Sequence, residues 1–354
     1  MTSADFAIAV GPELFDTRRP RDQIEFVGPY SLPFFDAVRS DVAESLSDLP
    51  RVAPVPCDLD EFERVHDSSY LFGIERLAEA KAPGPVGPST GEAPGPTPRS
   101  IPEPHLSAEC AGFEQALPGY RYTLGTMMDA LRRMKAGDLK RAYIAGLPGH
   151  HSHRDWGHGY CLLNPMAAAA RYAQEIGFTY PLIIDWDHHH GDGTQHIFAG
   201  DRSVHHISIH SALDLYMSMV RVTEDGTTSA AERDGHQNIP VLAQMYPDDF
   251  WLELGLEGRY IRGGQILPAF ESALDQVPWR PDVVFVFAGF DGHIEDCGEG
   301  IQDWTEDDFE ELTHTVLRRA RQWHAPILSA QGGGYNRHTA VASALRHVRT
   351  LASG

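Results

Sequence analysis

The sequence predicts an α/β fold: a central, mostly parallel sheet with helices on both faces. Three observations lead there. Short apolar strands alternate with amphipathic helical stretches along most of the chain. Some strands are unbroken apolar runs, as in Val283-Val-Phe-Val-Phe287, which suits burial on both faces. Five strands are each followed directly by a polar or glycine-rich cluster. With 354 residues, 42% of them apolar and 22% charged, the chain is typical of a globular protein and excludes a disordered or collagen-like one. Length alone suggests about two domains, but the alternation reads as one α/β unit over 1–354.

Taken in order, Phe6 to Val10 reads as the opening strand. Apolar spacing predicts a helix over Pro33–Leu46 and another within Asp58–Ala80. Residues 82–104 are rich in Pro and Gly and cannot sustain either ladder. They form a surface loop, because nothing before residue 82 is a complete domain. A helix over Tyr122–Lys135 leads to the strand Arg141–Ala145. Asn164–Ile176 is an Ala-rich helix and Leu182–Ile184 a strand. Val204–Ile209 is a strand, and Phe250–Ala273 holds one or two helices. The strand Val283–Phe287, the helix Trp304–Trp323, the strand Pro326–Ser329 and the helix Thr339–Leu351 complete the chain.

The charge is −21, from 50 acidic and 29 basic residues. A field of that sign disfavours nucleic acid and anionic membranes and tolerates cationic substrates. No stretch approaches the roughly 20 apolar residues of a membrane span. The opening residues lack the basic and apolar regions of a signal peptide. Four scattered cysteines without Cys-x-x-Cys point to a reducing compartment, so a cytoplasmic location is expected.

Ligands bind beyond the carboxyl ends of the strands in open α/β sheets, so the five clusters should converge. Turn chemistry explains any one of them, but not five together, three of them rich in His and Asp. In Asp185-Trp-Asp187-His-His189-His190-Gly-Asp192-Gly193, the period of two puts Asp185, Asp187 and His189 on one face. Carboxylates and an imidazole so placed call for a cation, and one His with one or two carboxylates suits a divalent metal. Asp291, at the end of a separate apolar strand, can complete the set. His150 and His151 need carboxylate partners to fix their tautomers, and Asp185 and Asp192 are available once not spent on the metal. Such a pair beside a metal serves as general base or acid. In Gln331-Gly-Gly-Gly-Tyr335, the glycines allow close backbone approach and Tyr335 offers a donor to a developing oxyanion; alone, it also reads as a Gly-rich turn with a packed Tyr.

Together, Pro148-Gly-His150-His151, Gly159-Tyr-Cys-Leu-Leu-Asn164, Asp185-x-Asp187-x-His189-His190-Gly-Asp192-Gly193, Ala288-Gly-Phe-Asp291 and Gly332-Gly-Gly-Tyr335 resemble the motif series of the zinc-dependent histone deacetylase family. That superfamily includes acetylpolyamine amidohydrolases. The resemblance spans roughly residues 60–350, with lesser echoes in Val65-His-Asp67-x-x-Tyr70 and Asn238-Ile-Pro240. It implies an arginase-like α/β fold and hydrolysis of an N-acetyl amide. The implied ligands are Asp187, His189 and Asp291. His150 and His151 are the tandem histidines, backed by Asp185 and Asp192, and Tyr335 polarises the carbonyl. Tyr160, Gly159 and Gly333 line the implied channel, with Tyr216 as a further wall. The resemblance also implies potassium at Asp185, Asp187, His189 and Ser208, and a second site at Phe198, Asp201 and Val204.

Zinc and ferrous iron both fit the ligand set. The family's N-terminal His-Pro-Glu-type motif is replaced by Phe26-Val-Gly-Pro-Tyr30, and His188 stands where the family has an apolar residue. The polar and aromatic stretch Ser152–His158 is expected near the channel. Glu103, Glu109, Glu295 and Glu299 fall on rim segments and suit a cationic acetylpolyamine or acetyl-lysine. Neutral biosynthetic intermediates, a non-catalytic acyl-ligand-binding protein and a dinuclear arginase-like hydrolase are the competing readings. The 82–104 loop is long enough to reach a second subunit of a homo-oligomer.

Overall fold

The computed structural model describes residues 5–26, 30–80, 105–211, 236–242, 261–262, 266–296 and 304–354. The Pro/Gly-rich 82–104 segment, Tyr216, Glu103, Glu299 and Cys297 lie outside them.

Ten strands and eight α-helices are described. The strands are β1 (Phe6–Ala9), β2 (His105–Leu106), β3 (Arg141–Ile144), β4 (Trp156–Gly157) and β5 (Pro181–Asp185), followed by β6 (His205–Ser211), β7 (His236–Leu242), β8 (Ile261–Arg262), β9 (Val283–Ala288) and β10 (Ile327–Gln331). The helices are α1 (Leu32–Ser45), α2 (Ser68–Ala80), α3 (Leu117–Ala136) and α4 (Pro165–Glu175), then α5 (Asp192–Ile197), α6 (Ile266–Asp275), α7 (Glu306–Trp323) and α8 (Arg337–Ser353). Eight strands form one sheet in the order β1-β3-β10-β9-β5-β6-β7-β8, and every pairing in it is parallel. β2 and β4 form a separate two-stranded ribbon.

Each expected strand is present, and the reason is visible in β9. Val283, Phe285 and Phe287 enter one apolar core while Val284, Val286 and Ala288 enter the other. The first core is covered by α2, α3 and α4, with Leu124, Leu131 and Met166 among the contacts. The second is covered by α6, α7 and α8, through Phe270, Phe309, Leu312, Ala344 and Val348. Each such Val, Leu, Phe or Met side chain contributes about 1.5–3 kcal/mol when fully buried.

Several elements depart from the sequence expectation, which does not include the short β2, β4 and α5. Helix α3 starts five residues earlier than Tyr122, because Pro118 sits in its first turn, where a missing N–H costs nothing. Strand β7 was not anticipated, since His236-Gln-Asn-Ile-Pro240 is polar and contains a proline. It pairs with β6 on one side, and β8 meets only Val241 and Leu242 on the other. Pro240 thus lies where much of one side carries no ladder among the described residues. Within Phe250–Ala273, the described residues hold β8 and the start of α6, and 250–260 lie outside them.

Helix ends follow local chemistry. The Asn164 side chain caps α4 by accepting the Ala167 N–H at 2.9 Å. Thr305 and Asp308 form a capping box on α7. Among the described residues no helix is long and apolar enough to cross a membrane.

Candidate active site

The register of the sheet brings the site together. Asp185 on β5 pairs with Phe287 on β9, and Gln331 on β10 pairs with Ala288. The chain segments that leave these three strands therefore start at one level, and they carry Asp187 and His189, Asp291, and Gly333 with Tyr335.

His189 Nδ1 lies 2.9 Å from Asp291 Oδ2 and 3.2 Å from Asp187 Oδ1. The second oxygen of each carboxylate is taken by backbone. Gly333 N–H donates to Asp187 Oδ2 at 2.7 Å, and His188 N–H donates to Asp291 Oδ1 at 2.9 Å. Both carboxylates are buried. Burial, with repulsion from Asp187, pushes Asp291 up to about 6. Two buried carboxylates converging on one half-buried imidazole are what a divalent ion needs, so the donor set fits zinc. Gly333 must be glycine for this packing, since a Cβ there would lie 2.6 Å from Asp291 Oδ2 and 2.9 Å from Asp187 Oδ2.

The tandem histidines are separated by their partners. His150 Nδ1 meets Asp185 Oδ2 at 2.9 Å, and His151 Nδ1 meets Asp192 Oδ1 at 2.7 Å. Burial alone would depress His150, but the Asp185 and Asp187 carboxylates outweigh it and hold it up to about 9. Burial and the neighbouring His150 push His151 well below the usual imidazole range, against the pull of Asp192. One histidine therefore favours the cation and its neighbour the free base, a division that suits acid–base work. Asp185, expected behind the first histidine, and Asp192, expected behind the second, occupy those places.

Tyr335 stands edge-on to His189, with ring centroids 6.0 Å apart. It belongs to an aromatic series running through Phe35 (6.0 Å) to Tyr160 (6.4 Å) and on to Phe113 (6.1 Å), with Tyr30 at 4.8 Å from Tyr335. Phe35, Phe113 and Tyr30 were not singled out from sequence. Gly159 and Tyr160 both have positive φ, 55° and 62°. At Gly159 a Cβ would lie 2.4 Å from His151 Cδ2, so only glycine lets this segment approach the His151 ring. Glu109 sits beside this segment: its Oε2 accepts the Gly159 N–H at 3.2 Å and the Ser107 hydroxyl at 2.7 Å.

Asp296 was also missed. It is buried, and its carboxylate accepts the N–H of Tyr335 at 2.9 Å and of Asn336 at 2.8 Å. Ser208 pairs with Asp185 across β5 and β6. Phe198 and Asp201 form the turn after α5, where Phe198 accepts the Asp201 N–H at 2.9 Å, and Val204 follows just before β6.

A parallel α/β sheet with an imidazole–carboxylate centre at its strand ends and a His–Asp pair beside it defines a class of hydrolase-like metal-ready proteins. Comparison with known proteins narrows this. Residues 34–351 match the histone deacetylase domain family, and the chain belongs to that family. It is 33% identical over 256 residues to a probable deacetylase of Methanothermobacter thermautotrophicus, covering 71% of this chain and 65% of that protein. It is 34% identical over 215 residues to the polyamine deacetylase HDAC10 of Mus musculus, covering 58% of this chain and 28% of that one. The chain thus spans less than two thirds of either relative. An acetylpolyamine aminohydrolase from Burkholderia pseudomallei shares the fold, with a TM-score of 0.72 at 21% identity over 98% of both chains.

Proposed function

We propose that this protein is a zinc-dependent deacetylase that hydrolyses the N-acetyl amide of a small cationic amine, an acetylpolyamine before an acetyl-lysine. The observation that carries the chemistry is the meeting of His189 Nδ1, Asp187 Oδ1 and Asp291 Oδ2 beside the His151–Asp192 pair. Zinc held there would supply Lewis acidity toward the carbonyl. His151, its Nδ1–H fixed on Asp192, turns its other nitrogen to the reacting water. It takes the water proton as oxygen bonds to the carbonyl carbon and returns it to nitrogen as the C–N bond breaks. Tyr335 donates its hydroxyl to the carbonyl oxygen as negative charge develops. His150, favouring the cation between Asp185 and Asp187, holds positive charge near that oxygen. Ferrous iron suits the same donors. Potassium at Asp185, Asp187, His189 and Ser208, and at Phe198, Asp201 and Val204, belongs to this reading.

The substrate class is supported by Glu109, whose carboxylate is anchored beside Tyr160 at the channel wall, by the net charge of −21, and by the polyamine deacetylase among the relatives. The test is kcat/KM of zinc-loaded protein on acetylspermidine, an acetyl-lysine peptide and a neutral N-acetyl amine, at low and high salt. Acetylspermidine should lead the neutral amine by about tenfold or more, roughly the 1.4 kcal/mol of one charge-assisted contact. Glu109→Gln should shrink that lead. Equal rates on cationic and neutral amines would reject the polyamine reading. Chelator dialysis should abolish turnover and zinc restore it.

A further inference from the structure

Asp192 does not serve His151 alone. Its Oδ1 meets His151 Nδ1 at 2.7 Å, while its Oδ2 is met by His158 Nε2 at 2.8 Å and His153 Nε2 at 3.0 Å. All four side chains are buried, with relative exposures of 1–7%. Three imidazoles on one carboxylate is more than the general-base chemistry needs.

The two extra histidines are held by their own surroundings. They lie in the 152–158 stretch, which folds back through a His153 N–H to Trp156 C=O hydrogen bond of 2.7 Å. β4 then pins the stretch to β2, with Leu106 opposite Gly157. The Trp156 ring stacks on His158 at 4.3 Å and 14°, and on His153 at 4.8 Å and 29°. So the rings that face Asp192 are clamped from behind by an aromatic plate.

A carboxylate with a single partner can swivel about its Cβ–Cγ bond. With donors on both oxygens it cannot turn without breaking two further hydrogen bonds, each to a charged acceptor and so among the stronger kind. We infer that His153 and His158 are positioning residues, which lock the Asp192 carboxylate and thereby aim His151 at the reacting water. This rests on His151 being the base in the proposed reaction.

Two other uses of the cluster fit less well. A proton wire is not needed, since the proton that His151 takes from water returns to the departing amine. A second metal would draw on the same atoms (His151, His158 and Asp192 lie close enough to hold an ion), but it would tie up the base.

The experiment separates the donor from the ring. His158→Phe keeps a stacking plane against Trp156 and loses the N–H. His158→Gln keeps an N–H donor and loses the ring. The same pair is made at His153. Rates are measured on the best acetylated amine, with zinc content and thermal midpoint alongside. In the Phe variants kcat should fall about 10–100-fold, the usual cost of losing such an outer partner, with KM within about threefold and zinc still one per chain. The Gln variants should stay within about fivefold of wild type. The reverse order, Gln impaired and Phe active, would overturn the proposal in favour of packing. So would a second zinc per chain that disappears in the Gln variants.

The low-field proton NMR signal of the His151–Asp192 hydrogen bond gives a readout independent of turnover. It should persist in the Gln variants and broaden in whichever Phe variant folds; an unchanged signal in a Phe variant would sink the idea. If wild type cleaves no acetylated amine, the proposed substrate fails, and this signal still decides the positioning role.

Discussion

Tyr335 is held by its ring, against Tyr30 and Phe35, contacts that a phenylalanine ring can also make. Tyr335→Phe should therefore leave the fold and KM nearly unchanged and lower kcat by about 10²–10³-fold, the usual cost of one oxyanion donor. Steady-state kinetics with a matched thermal melt checks this; an equal loss of stability would point to packing instead. Gly333 acts in the opposite way, through the side chain it lacks. A Cβ would press on Asp291 Oδ2 and Asp187 Oδ2 together, so Gly333→Ala should weaken zinc about 10–100-fold. Competition with a zinc-binding dye measures it, and unchanged affinity would mean that the loop yields.

The next scale is the segment between β10 and α8, which carries Tyr335. Its two N–H groups at Tyr335 and Asn336 have no helix or strand to join, and Asp296 accepts both. Asp296→Ala would orphan them. The expected result is a loss of about 1–3 kcal/mol in urea unfolding together with a kcat reduced more than tenfold, with Asp296→Asn milder in both. A stable Asp296→Ala enzyme at full kcat would show that the segment is held by α8 alone. Asp296 also marks what the sequence could not disclose. The apolar runs at 182–184 and 283–287 announce strands because period and composition are local properties. The candidate ligands Asp187, His189 and Asp291 follow from the ends of those strands. Asp296, Glu109, His153 and His158 act on groups some 34 to 50 residues away, and no local pattern encodes which distant partner a buried carboxylate or imidazole will meet. Strand β7 escaped for a related reason. Its buried face carries His236 and Asn238, and polar residues that find partners inside look like a loop when read alone.

At the scale of the whole molecule, the many buried histidines set an acid limit on the fold. His347 is fixed between Thr313 Oγ1 at 2.7 Å and Ser329 Oγ at 2.8 Å, and the Thr313 hydroxyl already donates to Phe309 C=O. Thr313 therefore accepts from Nδ1–H and Ser329 donates to Nε2, which leaves no room for a second proton. Burial pushes His347 down to about 3, and His66 and His205 down to about 4. In the unfolded chain the same rings titrate near 6.5. Because the folded values are the lower ones, the unfolded state takes up protons first as the pH drops. The stability these three histidines contribute is then complete above about pH 6.5 and declines below it, by on the order of 1 kcal/mol per pH unit for each, until the folded values are reached. The charge of −21 works the other way, since protonating carboxylates relieves self-repulsion. For the exposed carboxylates that relief begins near about 4, below most of the histidine window. The histidines should win between pH 6.5 and 4.5. Urea unfolding across that interval should give a free energy that falls as the pH drops, and His347→Asn should remove close to one proton from its slope. A flat profile down to pH 5 would mean that these imidazoles are protonated inside the fold, and that the Thr313–His347–Ser329 arrangement opens to admit the second proton.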